Sequence, residues 1–196
     1  GGQGTMILAL SEKEAEAAKI QAKQEIAAGV PVEILKGTEA RQCESILPDN
    51  LMAAILYPQS RFLDARNYTA TIAKAVQGKG VTIRQGWPVT GLVWQGKQVV
   101  GVRSGPNQLL ADWVINAAGT WAGHLDLKLT APIIPEHGQI MSLQGPSTGL
   151  RHTLFRCNSY GYITPRIDGR MVVGATHEEI GFRKKLTASG LRYLVD

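Results

Sequence analysis

The sequence predicts an α/β protein of the α+β kind, with a mixed, largely antiparallel sheet covered by helices and a smaller lobe carrying a β-meander. Three stretches point to this. Residues 5–35 read as strand, capped helix and strand; residues 89–102 alternate around a Gln95-Gly96-Lys97 turn; residues 160–176 read as a hairpin. Of the 196 residues, 44% are apolar and 19% charged, enough to fill a packed core.

Taken in order, Thr5–Leu10 (TMILAL) is a short buried strand. Ser11 caps a helix, Glu14 completes a capping box, and Gly29 ends it. Ala15, Ala18, Ala22 and Ile26 form a thin apolar stripe, as on a surface helix lying against a sheet. Val32–Leu35 is a strand, Thr38 caps a short helix that Pro48 closes, and Ala53–Tyr57 is a strand. Asp64 caps a helix over Ala65–Gln77, stopped by Gly78-Lys79-Gly80, and Val81–Arg84 follows as a strand. Strands over Val89–Trp94, Val99–Val102 and Leu109–Asn116 make an antiparallel meander. Pro132–Leu143 is extended, Tyr160–Pro165 pairs with Met171–Thr176 across Ile167–Arg170, and Thr187 caps a final helix.

Several function classes are disfavoured. The +5 net charge is spread along the chain, its densest run being Arg183-Lys184-Lys185, so a nucleic-acid partner is not expected. No apolar run reaches the ~20 residues of a membrane span. Cys43 and Cys157 have no metal-type spacing and favour a reduced, cytoplasmic setting. His124, His137, His152 and His177 are not at ligand spacings, so no metal is expected. Asp168-Gly169 is a turn signal, and no local pattern marks a nucleophile. No strand–GxGxxG–helix unit is present, so the chain holds no autonomous dinucleotide cradle.

Three stretches stand out together: the meander ending in Ile115-Asn116-Ala117-Ala118-Gly119-Thr120-Trp121; Pro135–Ile140 (PEHGQI); and Gly161–Arg166 followed by Gly169–Thr176. In order and spacing they resemble the flavin-dependent D-amino acid oxidase superfamily, in its glycine oxidase and sarcosine oxidase branch, the thiamine-biosynthesis glycine oxidases above all. The resemblance runs from GTMILAL to TASGLRYL. It implies an internal segment of a longer protein. Residues 1–58 and 127–196 would belong to a substrate domain, and 59–126 to a partial Rossmann-like FAD-binding lobe.

The resemblance also assigns residues. Ala117, Ala118 and Gly119 would end a strand close to FAD, and the Val89 backbone would meet the adenine end; strand-on-helix packing is the alternative for these. Trp121 either shelters the cofactor or fills core. Tyr162 would hydrogen-bond a substrate carboxylate, with Tyr160 on the same strand face and His177 lining the pocket; half-buried sheet aromatics and an exposed histidine are the alternatives. Arg166 belongs to a structural Pro-Arg turn. The implied reaction is hydride transfer from the α-carbon of a small amino acid or amine, with no protein base and with oxygen reoxidising the flavin to give hydrogen peroxide. A carboxylate-clamping arginine would lie downstream. A D-amino acid dehydrogenase of the same superfamily, or a non-enzymatic binding or assembly module, are the other readings, and a homo-oligomer is possible. The chain alone is expected to be inactive and to hold FAD weakly. Residues 1–58 and 127–196 should share one sheet with helices on one side, apart from the meander.

Overall fold

The computed structural model describes residues 4–125, 133–145 and 149–195. They form two compact units, the first from Gly1–Asp64, His137–Glu179 and Arg183–Asp196, the second from Ala65–Glu136 and Ile180–Phe182. In chain order the elements are β1 (Thr5–Ala9), α1 (Glu12–Ala27), β2 (Glu33–Lys36), α2 (Gly37–Cys43), β3 (Ala53–Tyr57), α3 (Ala65–Gln77), β4 (Gly91–Gln95), β5 (Gln98–Ser104), β6 (Asn107–Leu110), a 3₁₀ turn (Gly119–His124), β7 (Met141–Leu143), β8 (Thr153–Arg156), β9 (Tyr162–Pro165), β10 (Met171–Gly174) and α4 (Ala188–Val195).

The first unit is built on a seven-stranded sheet of order β2-β3-β1-β8-β9-β10-β7. Its pairings are antiparallel except for β1 with β8, which run parallel in the register Thr5↔Thr153 to Leu8↔Arg156. The capping box of α1 is in place: Glu14 N donates to Ser11 Oγ at 3.3 Å and Ser11 N to Glu14 Oε2 at 3.1 Å. Ala15, Ala18 and Ala22 are buried, and these short side chains let the helix lie close against Ile55, with Ile7 and Ile34 beside it. The stripe stops there, because Ile26 is 47% exposed. The Tyr57 hydroxyl ties β3 to α1 by donating to Glu25 Oε2 at 2.7 Å.

The helix α2 packs on the other face. Its Ala40 joins Leu154 of β8 and Met6, Ala54 and Leu56, the chain neighbours of Ile7 and Ile55 that point the opposite way along each strand. Helices therefore lie on both faces of the sheet, not on one as expected. The α2 start also differs from the expectation. The helix begins at Gly37, where a side chain would collide with the Leu51 carbonyl, and Lys36 N donates to Glu39 Oε2 at 2.7 Å, so Thr38 falls within the first turn.

The strand β8 was absent from the sequence reading and closes the sheet. Its entry is held by Glu44, at the end of α2 and 1% exposed. One carboxylate oxygen, Oε2, accepts from Arg151 N at 2.9 Å and His152 N at 3.1 Å, and lies 2.9 Å from His152 Nδ1. The Arg151 guanidinium also donates to the Cys43 carbonyl. A buried carboxylate with this many partners is a clamp between α2 and β8.

In the second unit β4, β5 and β6 form a separate three-stranded antiparallel sheet. The expected strands at Val81–Arg84 and Trp113–Asn116 do not form: β6 stops at Leu110, and both stretches are irregular. Their side chains are exposed, Trp113 at 87% and Ile115 at 89%. Each has the composition of a strand but pairs with no strand among the described residues, and a ladder needs a partner to satisfy its backbone groups. Elsewhere β9 begins at Tyr162 and not Tyr160, β10 ends at Gly174 and not Thr176, and of the extended Pro132–Leu143 run only Met141–Leu143 is a strand; Pro132 lies outside the described residues.

Removing the Glu44 carboxylate leaves buried N–H groups without acceptors. Glu44→Ala should therefore lower unfolding stability by roughly 3–5 kcal/mol, and Glu44→Gln by less, since one oxygen remains. Urea unfolding measures this, and a loss below about 1 kcal/mol for Glu44→Ala would show that the clamp is dispensable.

Candidate functional site

The turn that joins β8 to β9 carries the side chains of interest. Cys157 N donates to the Leu8 carbonyl at 2.8 Å, Ser159 N to the Arg156 carbonyl at 3.3 Å, and Gly161 N to Ser159 Oγ at 3.0 Å. Asn158 adopts φ 56°, a left-handed conformation that asparagine tolerates. Several cavities border this turn, and two of them share Tyr193. One of about 380 Å³ is lined by Leu8, Leu154, Tyr162, Ile163, Tyr193 and Leu194 among others. A second of about 450 Å³ is lined by Tyr160, Thr176, His177, Glu178, Ser189 and Tyr193 among others.

Tyr162 is half-buried against Phe155, ring centroids 5.3 Å apart, and its phenol passes over Gly174, where a Cβ would come within 2.8 Å of the Tyr162 hydroxyl. Glycine at 174 makes that ring position available. Tyr160, 66% exposed, stacks on the exposed His177 with centroids 3.8 Å apart. The structure thus brings Tyr160 and His177 together at one cavity and puts Tyr162 at the other. The two tyrosines do not share a strand face, because Tyr160 belongs to the turn.

Below the second cavity lies a polar network whose roles the sequence reading did not assign. Glu178 Oε1 accepts the Thr187 hydroxyl at 2.5 Å; Oε2 accepts Gln139 Nε2 at 2.8 Å and lies 3.1 Å from His137 Nδ1. Backbone bonds between His137 and Glu178, both at 2.9 Å, hold the segments together. Thr187 Oγ1 also accepts Gly190 N at 3.0 Å, capping α4 as expected. Thr187 and then Gln139 hold the Glu178 carboxyl below the usual carboxylate range. The Thr187 cap was legible; its link to an acid nine residues earlier was not.

On the second unit, Asn116 shapes the small-residue turn. Its Oδ1 accepts Ala118 N at 3.2 Å and its Nδ2 donates to the Ala122 carbonyl at 3.0 Å. Gly119 has φ +54° with nothing within 4 Å of where a Cβ would stand, and Ala117 is exposed. Trp121, 56% exposed, rests on Phe182 at 5.5 Å between centroids. Val89 is 39% exposed and precedes β4. Among the described residues no close packing explains the glycine at 119 or the exposed alanine at 117. Among the described residues no cluster of metal-binding side chains occurs, and no helix is long and apolar enough to cross a membrane.

The pH dependence of the network follows from its sign. Glu178 has a lowered folded-state value, so its contribution is present above the ordinary carboxylate range and lost as pH falls through the folded value. Unfolding of Glu178→Gln should show a flatter acid limb than the parent. Superimposable stability–pH curves would contradict this.

The profile of the FAD dependent oxidoreductase (DAO) family matches residues 2–196. The bifunctional protein ThiO/ThiG of Nostoc sp. is 30% identical over 169 residues, covering 84% of this chain and 25% of that protein. The glycine oxidase of Pseudomonas putida is 34% identical over 116 residues, 58% of this chain and 31% of that one. Among solved structures, glycine oxidase from Geobacillus kaustophilus superposes with a TM-score of 0.90 at 25% identity, and iminodiacetate oxidase from Chelativorans sp. BNC1 with 0.86 at 26%. Both cover 100% of this chain, which spans 53% and 54% of theirs. The chain spans about a quarter of the bifunctional relative and about half of these structures. With its mixed sheet, its separate meander and this match from end to end, the chain belongs to the family of FAD dependent oxidoreductases.

Proposed function

We propose that this chain supplies most of the substrate domain, and one segment of the FAD-binding lobe, of an oxidase acting on the C–N bond of a small amino acid or amine such as glycine, sarcosine or a D-amino acid. The observation that carries the reading is Tyr162: its phenol borders an apolar cavity and its hydroxyl makes no hydrogen bond to a described residue. Bound FAD would supply the hydride acceptor for the substrate α-carbon and pass the electrons to oxygen as hydrogen peroxide, leaving an imine for hydrolysis to a 2-oxo acid and ammonia, or the corresponding primary amine from an N-substituted substrate.

In this reading the Tyr162 hydroxyl donates to the substrate carboxylate and orients the α-carbon. The stacked Tyr160–His177 pair walls the neighbouring cavity. Were FAD bound, the small residues Ala117, Ala118 and Gly119 would leave room for the dinucleotide at the turn after Asn116, Trp121 would shelter it, and the Val89 backbone would meet its adenine end. No side chain here needs to act as base when the amine arrives neutral. Residues 1–58 and 127–196 are assigned to the substrate domain and 59–126 to the FAD lobe. The bifunctional ThiO/ThiG relative supports a role in thiamine biosynthesis.

Two outcomes test this. In the FAD-loaded enzyme Tyr162→Phe removes one hydrogen bond to a charged group, worth roughly 1.5–3 kcal/mol. It should raise KM for glycine or sarcosine by about 10- to 100-fold with little change in kcat, since the carboxylate is held equally in ground and transition states. An unchanged KM for every amine tried would remove Tyr162 from the site. The isolated 196 residues, with no strand–GxGxxG–helix unit to bind the pyrophosphate, should purify without stoichiometric flavin absorbance; a yellow one-to-one complex would overturn that.

A further inference from the structure

We propose that Tyr193 sets substrate size, as the wall between the two cavities beside the β8–β9 turn; this rests on the reading that those cavities receive the amino acid. Tyr193 lines both of them. Its hydroxyl is 3.2 Å from Ser159 Oγ, so the ring is tied to the turn that carries Tyr160 and leads into Tyr162. Gly161 leaves room for that bridge: a Cβ there would stand 3.3 Å from Ser159 Oγ and 3.6 Å from the Tyr193 hydroxyl.

The helix that presents Tyr193 is anchored around it. Gly190, buried, lies where a side chain would collide with the Gln139 amide, and its N–H is held by Thr187 Oγ1. Leu194, 7% exposed, seals the other side. Tyr193, 48% exposed, is the residue that the two linings share. Truncating it would open the spaces of about 380 and 450 Å³ toward each other. A substrate whose α- or N-substituent is too long for one cavity would then reach the other, while glycine gains no new contact.

The test compares glycine with N-butylglycine in the FAD-loaded enzyme, by turnover and by equilibrium binding in calorimetry. Tyr193→Ala should move the kcat/KM ratio and the affinity ratio toward N-butylglycine by about tenfold or more, the scale of added apolar contact in a pocket. Tyr193→Phe and Ser159→Ala keep the ring and break the bridge, and should move both ratios the same way by about threefold. A merely structural Tyr193 would weaken both ligands equally. An unmoved affinity ratio in Tyr193→Ala overturns the inference, and so does an unmoved ratio in the two milder variants should Tyr193→Ala fail to fold. A parent enzyme that binds both ligands but oxidises neither would sink the proposed reaction alone, and the affinity ratio would still decide the role of Tyr193.

Discussion

The parallel pairing of β1 with β8 makes the first unit a single sheet. On one side of that seam are β2, β3 and β1, drawn from the first 64 residues; on the other are β8, β9, β10 and β7, drawn from beyond residue 136. Neither half has a second route into the other's ladder. Parallel pairs are slightly weaker per residue than antiparallel ones, and the loop closed here is long. The seam is accordingly reinforced where β8 begins, by a carboxylate from α2 that gathers the backbone of Arg151 and His152, and by the shared core of Met6, Ala40 and Leu154. The turn bearing Tyr160, which leads into Tyr162 of β9, leaves from the far end of β8. Its position is thus set by a register established at the opposite end of the strand.

How much of this could be read from residues depends on the range of the interaction involved. The α1 capping box, its alanine stripe, β1, β3 and the Thr187 cap were legible because each is local: a hydroxyl finds an amide three residues on, or an apolar pattern repeats. The strand β8 was not, since Thr-Leu-Phe-Arg is only four residues long and is a strand because β1 and β9 lie beside it. Placing both helices on one face failed for a similar reason: the amphipathic pattern identifies a buried side but not which face of the sheet it covers. The candidate residues divide likewise. Tyr162 and His177 were named from ordered motifs, whereas Tyr193 is held by a partner 34 residues away and Glu178 by partners 9, 39 and 41 residues away.

The second unit shows the opposite error, in which local pattern was present and tertiary partners were not. The helix α3 buries no residue, leaving Tyr68 and Ile72 substantially exposed. Val81, Ile83, Trp113 and Ile115 add apolar surface on stretches with strand composition. Burying such side chains is worth about 1.5–3 kcal/mol each. So much uncovered apolar surface marks a face that another element or chain must shield. The open surroundings of Gly119 belong to the same picture, for the turn is shaped by Asn116 rather than by anything packed against it.

The electrostatics of the two cavities differ in a way that bears on substrate orientation. Glu178 stays ionised because neutral donors, the Thr187 hydroxyl and Gln139 amide foremost, are already turned toward it. An amine held near that charge would be stabilised as its cation, and a protonated amine cannot push electrons toward the α-carbon as hydride departs. Under the proposed reaction the amine therefore belongs away from Glu178. The cavity of Leu8, Leu154 and Ile163 is lined by Arg156 and by no described carboxylate, so both its charge and desolvation there favour the neutral amine. With the carboxylate on the Tyr162 hydroxyl, the reacting carbon would lie on the Leu154 side of Tyr193, leaving the second cavity for whatever substituent the partition lets through.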